Sequence, residues 1–167
     1  MVCCVTGHRP GGFPFPREQK NEAYLRYLEK LEEAIRTLIG QNFRSFISGM
    51  AEGADLDFAS CVITLRDQGF PISLEAALPY PIPPRKYNSS RPQSEREALL
   101  GLCDTVTAVS PYYFRGCMQK RNRYMVDRAD MVLAVWNGEE RGGTWNTIDY
   151  AISRNKEIRY IHLSNLL

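Results

Sequence analysis

Six consecutive apolar residues, Met131-Val132-Leu133-Ala134-Val135-Trp136, place the strongest limit on what this chain can fold into. A strand that is apolar at every position has neither face in water, so it belongs inside a parallel sheet covered by helices on both sides. The flanking segments carry a different period. Residues 117–129 read as a helix with Arg121 and Met125 on one face. The stretch after Thr144, where Trp145, Ile148 and Ile152 line up, reads as another.

The same alternation runs through the rest of the chain. Residues 2–5 form a short apolar run. Over 17–39, Tyr24, Leu28, Leu31, Ile35 and Leu38 recur in steps of four and three, the stripe of an amphipathic helix. A strand is expected over 44–48, and a helix over 54–66 with Phe58, Val62 and Leu65 on one face. Residues 72–78 begin with apolar and polar positions alternating, which predicts a half-exposed strand near a sheet edge. A short helix over 94–102, a strand over 105–109 and a last strand over 158–163 complete the series. Alternation of this kind predicts an α/β fold: a doubly wound, mostly parallel sheet of about six strands with helices on both faces. The 167 residues fit one domain.

Composition narrows the partners. The formal net charge of +2 gives no argument for nucleic acid or an anionic membrane, and no apolar run approaches the ~20 residues of a membrane span. The five cysteines, Cys3, Cys4, Cys61, Cys103 and Cys117, contain no C-x-x-C pair, so neither a disulfide framework nor a metal site is suggested. A soluble protein of the reducing cytoplasm is expected.

Ligands of doubly wound sheets bind at the carboxyl ends of the strands, near the point where strand order reverses. Three glycine turns follow strands here: Thr6-Gly7-His8-Arg9, Ser48-Gly49-Met50-Ala51-Glu52-Gly53-Ala54-Asp55, and Gly142-Gly143-Thr144. All three should converge on one rim, where backbone N–H groups at helix starts suit phosphate. Thr144 reads as the N-cap of its helix. His8 is either a loop histidine with satisfied hydrogen bonds or a catalytic base, while Arg9 beside glycines reads as an anion contact. Asp55 either serves its own helix dipole, worth about 0.3–1 kcal/mol, or accepts a ribose hydroxyl. Residues 80–92, with Pro81, Pro83, Pro84 and Pro92 among Arg85, Lys86 and Arg91, read either as a lid over a ligand or as a solvated loop. Tyr112, Tyr113 and Phe114 beside Arg115 are either a stacking surface or core or loop-anchoring aromatics.

Thr6-Gly7-His8-Arg9-Pro10, the run from Ser48 to Asp55, Arg121-Asn122-Arg123-Tyr124-Met125-Val126-Asp127, Trp136-Asn137-Gly138 and Gly142-Gly143-Thr144 together resemble the YpsA-like branch of the SLOG superfamily. That superfamily of Rossmann-like proteins includes DprA and the LOG phosphoribohydrolases. The resemblance implies a Rossmann-like protein that senses or processes a nucleotide-derived small molecule. The implied ligand contacts are Thr6, Gly7, His8, Arg9, Ser48, Gly49, Met50, Gly53, Ala54, Asp55, Pro79, Arg121, Asn122, Trp136, Asn137, Gly142, Gly143 and Thr144. No cofactor is required beyond that nucleotide-like ligand. The LOG enzymes place an Arg four residues before a Met, as Arg121 and Met125 stand here, and a catalytic Glu soon after a Gly-Thr turn. Asn146 and Thr147 stand where that Glu is expected, and the nearest carboxylate is Asp149, one helical turn farther on. Binding and sensing is therefore the first expectation. An N-glycoside hydrolase using Arg121 with Asp149 or Glu140 is the second, and single-stranded DNA binding is the least favoured. A homo-oligomer is compatible with all three.

Overall fold

The computed structural model describes residues 1–81 and 91–167, without the side chains of 91–94. The elements are β1 (Val2–Gly7), α1 (Glu22–Gly40), β2 (Ser45–Ser48), α2 (Ala54–Asp67), β3 (Ser73–Leu78), α3 (Arg91–Leu100), β4 (Thr105–Ala108), α4 (Cys117–Arg128), β5 (Met131–Trp136), α5 (Gly142–Ser153) and β6 (Glu157–His162). The six strands form one parallel sheet in the order β4-β3-β2-β1-β5-β6. The fold is Rossmann-like, as the alternation of segments predicts.

Strand order reverses between β1 and β5. From β1 the chain steps outward through β2 and β3 to β4, then crosses back to place β5 on the other side of β1. The two directions put helices on opposite faces, because parallel crossovers keep one hand. One core layer joins Cys3, Val5, Phe46 and Leu133 to α1 and α2; the other joins Cys4, Ile47 and Val132 to α4 and α5. Nine residues of α2 are buried, including Phe58, Val62 and Leu65.

Several local expectations are corrected. Helix α1 begins at Glu22 instead of Arg17, because Asn21 caps it by accepting from the Tyr24 N–H at 3.0 Å. Arg17 lies outside the helix and pairs with Asp57 at 2.7 Å. Strand β3 is one strand in from the edge and mostly buried; its polar Glu75 accepts from the Tyr124 hydroxyl at 2.7 Å. The edge on that side is β4, which is mostly exposed. Helix α5 starts at Gly142, whose φ of 79° lets the turn begin earlier, so Arg141 occupies the N-cap position and Thr144 is the buried third residue. Its buried face is Thr144, Thr147, Ile148 and Ala151, while Ile152 is exposed. Of the proline-rich stretch over 80–92, residues 82–90 lie outside the described residues, and the lid reading with them. Among the described residues no helix is long and apolar enough to cross a membrane.

Candidate functional site

The carboxyl ends of β1, β2 and β5 meet at the order reversal, and the turns that leave them enclose a cleft of about 400 Å³. Thr6, Gly7, His8 and Arg9 form one wall, Gly143 and Thr144 the opposite one, and Asp55, Arg121 and Asn122 the floor. The first N–H groups of α5 have no partner inside their helix and carry its positive end.

Two glycines make the first wall possible. A Cβ at Gly7 would lie 2.4 Å from the Ala54 Cβ, so α2 packs directly on the end of β1. Gly53 has φ 97°, and a Cβ there would lie 2.4 Å from the His8 carbonyl oxygen. That carbonyl accepts from the Ala54 N–H at 3.1 Å, locking the two turns together.

The floor is a buried charge pair without a direct bridge. Arg121 is 6% exposed and Asp55 8%. Arg121 Nη1 donates to the Gly49 carbonyl and, at 3.2 Å, to the Ala77 carbonyl; Nε donates to Asn122 Oδ1 at 2.8 Å. Nη2 has no hydrogen-bond partner among the described residues. Asp55 Oδ2 accepts from the Ala51 N–H at 3.3 Å. Burial raises the Asp55 carboxyl, an effect that Arg121, the Ala51 N–H, Arg9 and Arg96 oppose. Burial likewise pulls Arg121 down, Asp55 pushes it back, and the like charges of Arg96 and Arg9 pull it down again. The charges of Arg121, Arg9 and Arg96 all act on this one buried carboxylate, a surplus of positive charge that attracts an anion.

His8 is half-buried, and burial lowers its pKa against the opposing effects of Asn137 and Glu139. Its Nε2 is buried with no hydrogen-bond partner among the described residues.

Other expected contacts lie elsewhere. Met50 is fully buried in the core, Ser48 is buried with its hydroxyl donating to the Asp55 carbonyl at 2.8 Å, and Pro79 is buried outside the cleft lining. Gly49, Gly53 and Ala54 shape the wall from behind. Asn137 braces the first wall through a 3.2 Å bond from Nδ2 to the Gly12 carbonyl. Trp136 stacks on Trp145 and neighbours Tyr160 and His162 at the β6 edge. Gly142 is exposed beside the cleft. Neither carboxylate suggested for catalysis lines it: Asp149 lines an adjoining groove and Glu140 is an exposed loop residue. Arg96 was not legible, because α3 carries no motif and a polar, helical sequence hides which arginine turns inward. Tyr112 and Tyr113, 68% and 66% exposed, are not core residues, and Tyr113 packs edge-on against Tyr80 at 5.6 Å.

A model of the YspA SLOG family matches residues 3–166. The chain belongs to the YpsA (YspA SLOG) family. This YpsA-family chain is 29% identical over 145 residues to the SPbeta prophage-derived protein YoqJ of Bacillus subtilis, covering 79% of this chain and 84% of YoqJ. It is also 29% identical over 146 residues to a UPF0398 protein of Shouchella clausii, covering 85% and 74% of the two chains. Two DprA structures share the fold at TM-score 0.62. That of Streptococcus pneumoniae is 16% identical and matches 95% of this chain, which spans about half (49%) of that DprA. That of Helicobacter pylori, described for its binding of single-stranded DNA, is 14% identical over 99% of this chain and 70% of its own.

Proposed function

We propose that this YpsA-family protein binds a nucleotide or nucleotide derivative in the cleft between β1 and β5. The observation that carries the reading is the buried Arg121 at the cleft floor, flanked by the positive end of α5 and by Arg9. A phosphate fits between Gly143, Thr144 and Arg121, with the Thr6–Arg9 turn along the sugar. Asp55, within reach of the same space, would repel a phosphate but accept a hydroxyl.

Thermal unfolding with AMP, ADP-ribose, NAD and cyclic nucleotides tests this. A bound nucleotide at a hundred times its Kd is expected to raise Tm by about 5–10 °C. Arg9→Ala, an exposed position, is expected to shrink that shift. If no nucleotide stabilises the protein beyond inorganic phosphate, the reading is wrong.

A hydrolase reading would now rest on Asp55, the one described carboxylate lining the cleft, whose raised pKa suits a general acid. Release of free base from nucleoside monophosphates, absent in Asp55→Asn, is its signature. A nucleic-acid reading draws on the exposed Tyr112 and Tyr113 beside Arg115 and Lys120 on the same rim, and on the likeness to DprA. A salt-dependent gel shift of single-stranded DNA would favour it.

A further inference from the structure

A larger groove of about 830 Å³ along α4 and α5 adjoins the cleft, and Met118, Asn122 and Gly143 line both. Along α5 the groove follows Gly143, Asn146, Tyr150 and Ser153, one stripe in steps of three and four. At 1.5 Å per residue the stripe is about 15 Å long.

The shared saddle is tied to both helices. Asn122 Nδ2 donates to Thr147 Oγ1 at 3.0 Å, and that hydroxyl donates to the Gly143 carbonyl at 2.9 Å. Arg121 Nε reaches the same Asn122, so the cleft floor and the saddle form one hydrogen-bonded unit. Beyond it the groove presents Gln119, Asn146 and Asp149, all exposed. Arg123 lies over the Tyr150 ring at 5.2 Å, and the Tyr150 hydroxyl is fixed on Asp127 at 2.9 Å.

A nucleoside monophosphate held by its phosphate in the smaller cleft leaves this groove to water. From the shared wall of the two spaces and the groups that line the second, we infer that the groove is a second nucleoside subsite, and that the ligand is two nucleosides joined through phosphate. The inference rests on the nucleotide reading of the cleft. In the groove Asp149 accepts from a ribose hydroxyl, and the Asn146 and Gln119 amides, each both donor and acceptor, meet a base edge. Arg123 offsets the charge of the linking phosphate.

Calorimetric titration of the intact protein with AMP, NAD and the linear dinucleotide pApA tests it. NAD carries a diphosphate link and pApA a phosphodiester, so the tighter of the two identifies the linkage. At least one is expected to bind about tenfold or more tightly than AMP. Asn146→Ala and Asp149→Ala, both at exposed positions, are expected to abolish that advantage while leaving AMP affinity unchanged. Equal affinities for all three, or an advantage that survives both substitutions, would overturn the second subsite while leaving the cleft reading intact. No binding of any of the three would remove the cleft reading and this inference with it. A dimer in sedimentation that the two variants dissociate would assign the groove to a second copy of the chain, and so overturn the subsite too.

Discussion

The Arg121 guanidinium on α4 donates to the carbonyl of Gly49, 72 residues earlier in the chain, across the floor of the cleft. One side chain therefore both charges the site and fastens α4 to the end of β2. Arg121→Ala leaves two buried carbonyls without their donor and Asp55 without the cation that most offsets its burial. It is expected to cost about 2–4 kcal/mol in urea unfolding. Arg121→Lys keeps the charge but not the fork of donors, and a smaller loss of about 1–2 kcal/mol is expected.

Gly49 and Gly53 should differ in their tolerance of alanine. A Cβ at Gly49 would lie 2.7 Å from Arg121 Nη1 and from Asp55 Oδ2, both side-chain atoms that can shift. At Gly53 the obstacle is the His8 backbone, and φ is 97°. Gly53→Ala is therefore expected to be the more damaging, by about 1 kcal/mol or more, with Gly49→Ala weakening nucleotide binding more than it lowers stability. Chemical unfolding and calorimetry on the two variants separate these effects.

Arg17 and Asp57 form a largely buried pair at 2.7 Å, with the Tyr24 hydroxyl donating to the same Asp57 oxygen at 3.1 Å. Arg17→Leu strands a carboxylate that burial already raises, and is expected to cost about 3 kcal/mol. Asp57→Asn in the Arg17→Leu background should recover part of that loss. Additive effects of the two substitutions would refute the coupling.

Acid should weaken the fold through His8. Its folded pKa lies below the ordinary 6.5, so the unfolded chain takes up the proton first and stability falls as pH drops through and below that value. Asp55 and Asp57 are raised, so the folded state binds their protons first; they favour folding at low pH and lose that contribution as pH rises above 3.8 through their folded values. Unfolding at pH 7.5 and 5.5 isolates the histidine if the wild type loses stability and His8→Ala does not.

Much of this architecture is visible in the sequence because single physical requirements dictate it. β5 is apolar throughout because both its faces are covered, and Gly7 and Gly53 mark places where two backbones approach too closely for a side chain. What could not be read depends on distant partners. Met50 sits among the candidate residues in sequence, yet with φ 56° its side chain lies in the core. The charge of Arg96 acts on Asp55 and Arg9 because β3 and β4 bring α3 to the same rim. The start of α5 moved because Gly142 adopts a conformation that the N-cap preference of Thr144 does not anticipate.

The pairing of β1 with β5 also dictates what happens while the chain is being made. Val2 and Asp130, 128 residues apart, exchange bonds of 2.8 Å, so one side of the first strand stays open until nearly the whole chain has been synthesised. A nascent chain that has passed β4 but not β5 carries an unpaired apolar edge at Cys3, Cys4 and Val5, a template for joining another such chain. Ribosome stalling or truncation before Met131 should therefore yield aggregates and not a partly active fragment, since the strand that seals this edge also brings the second wall of the cleft.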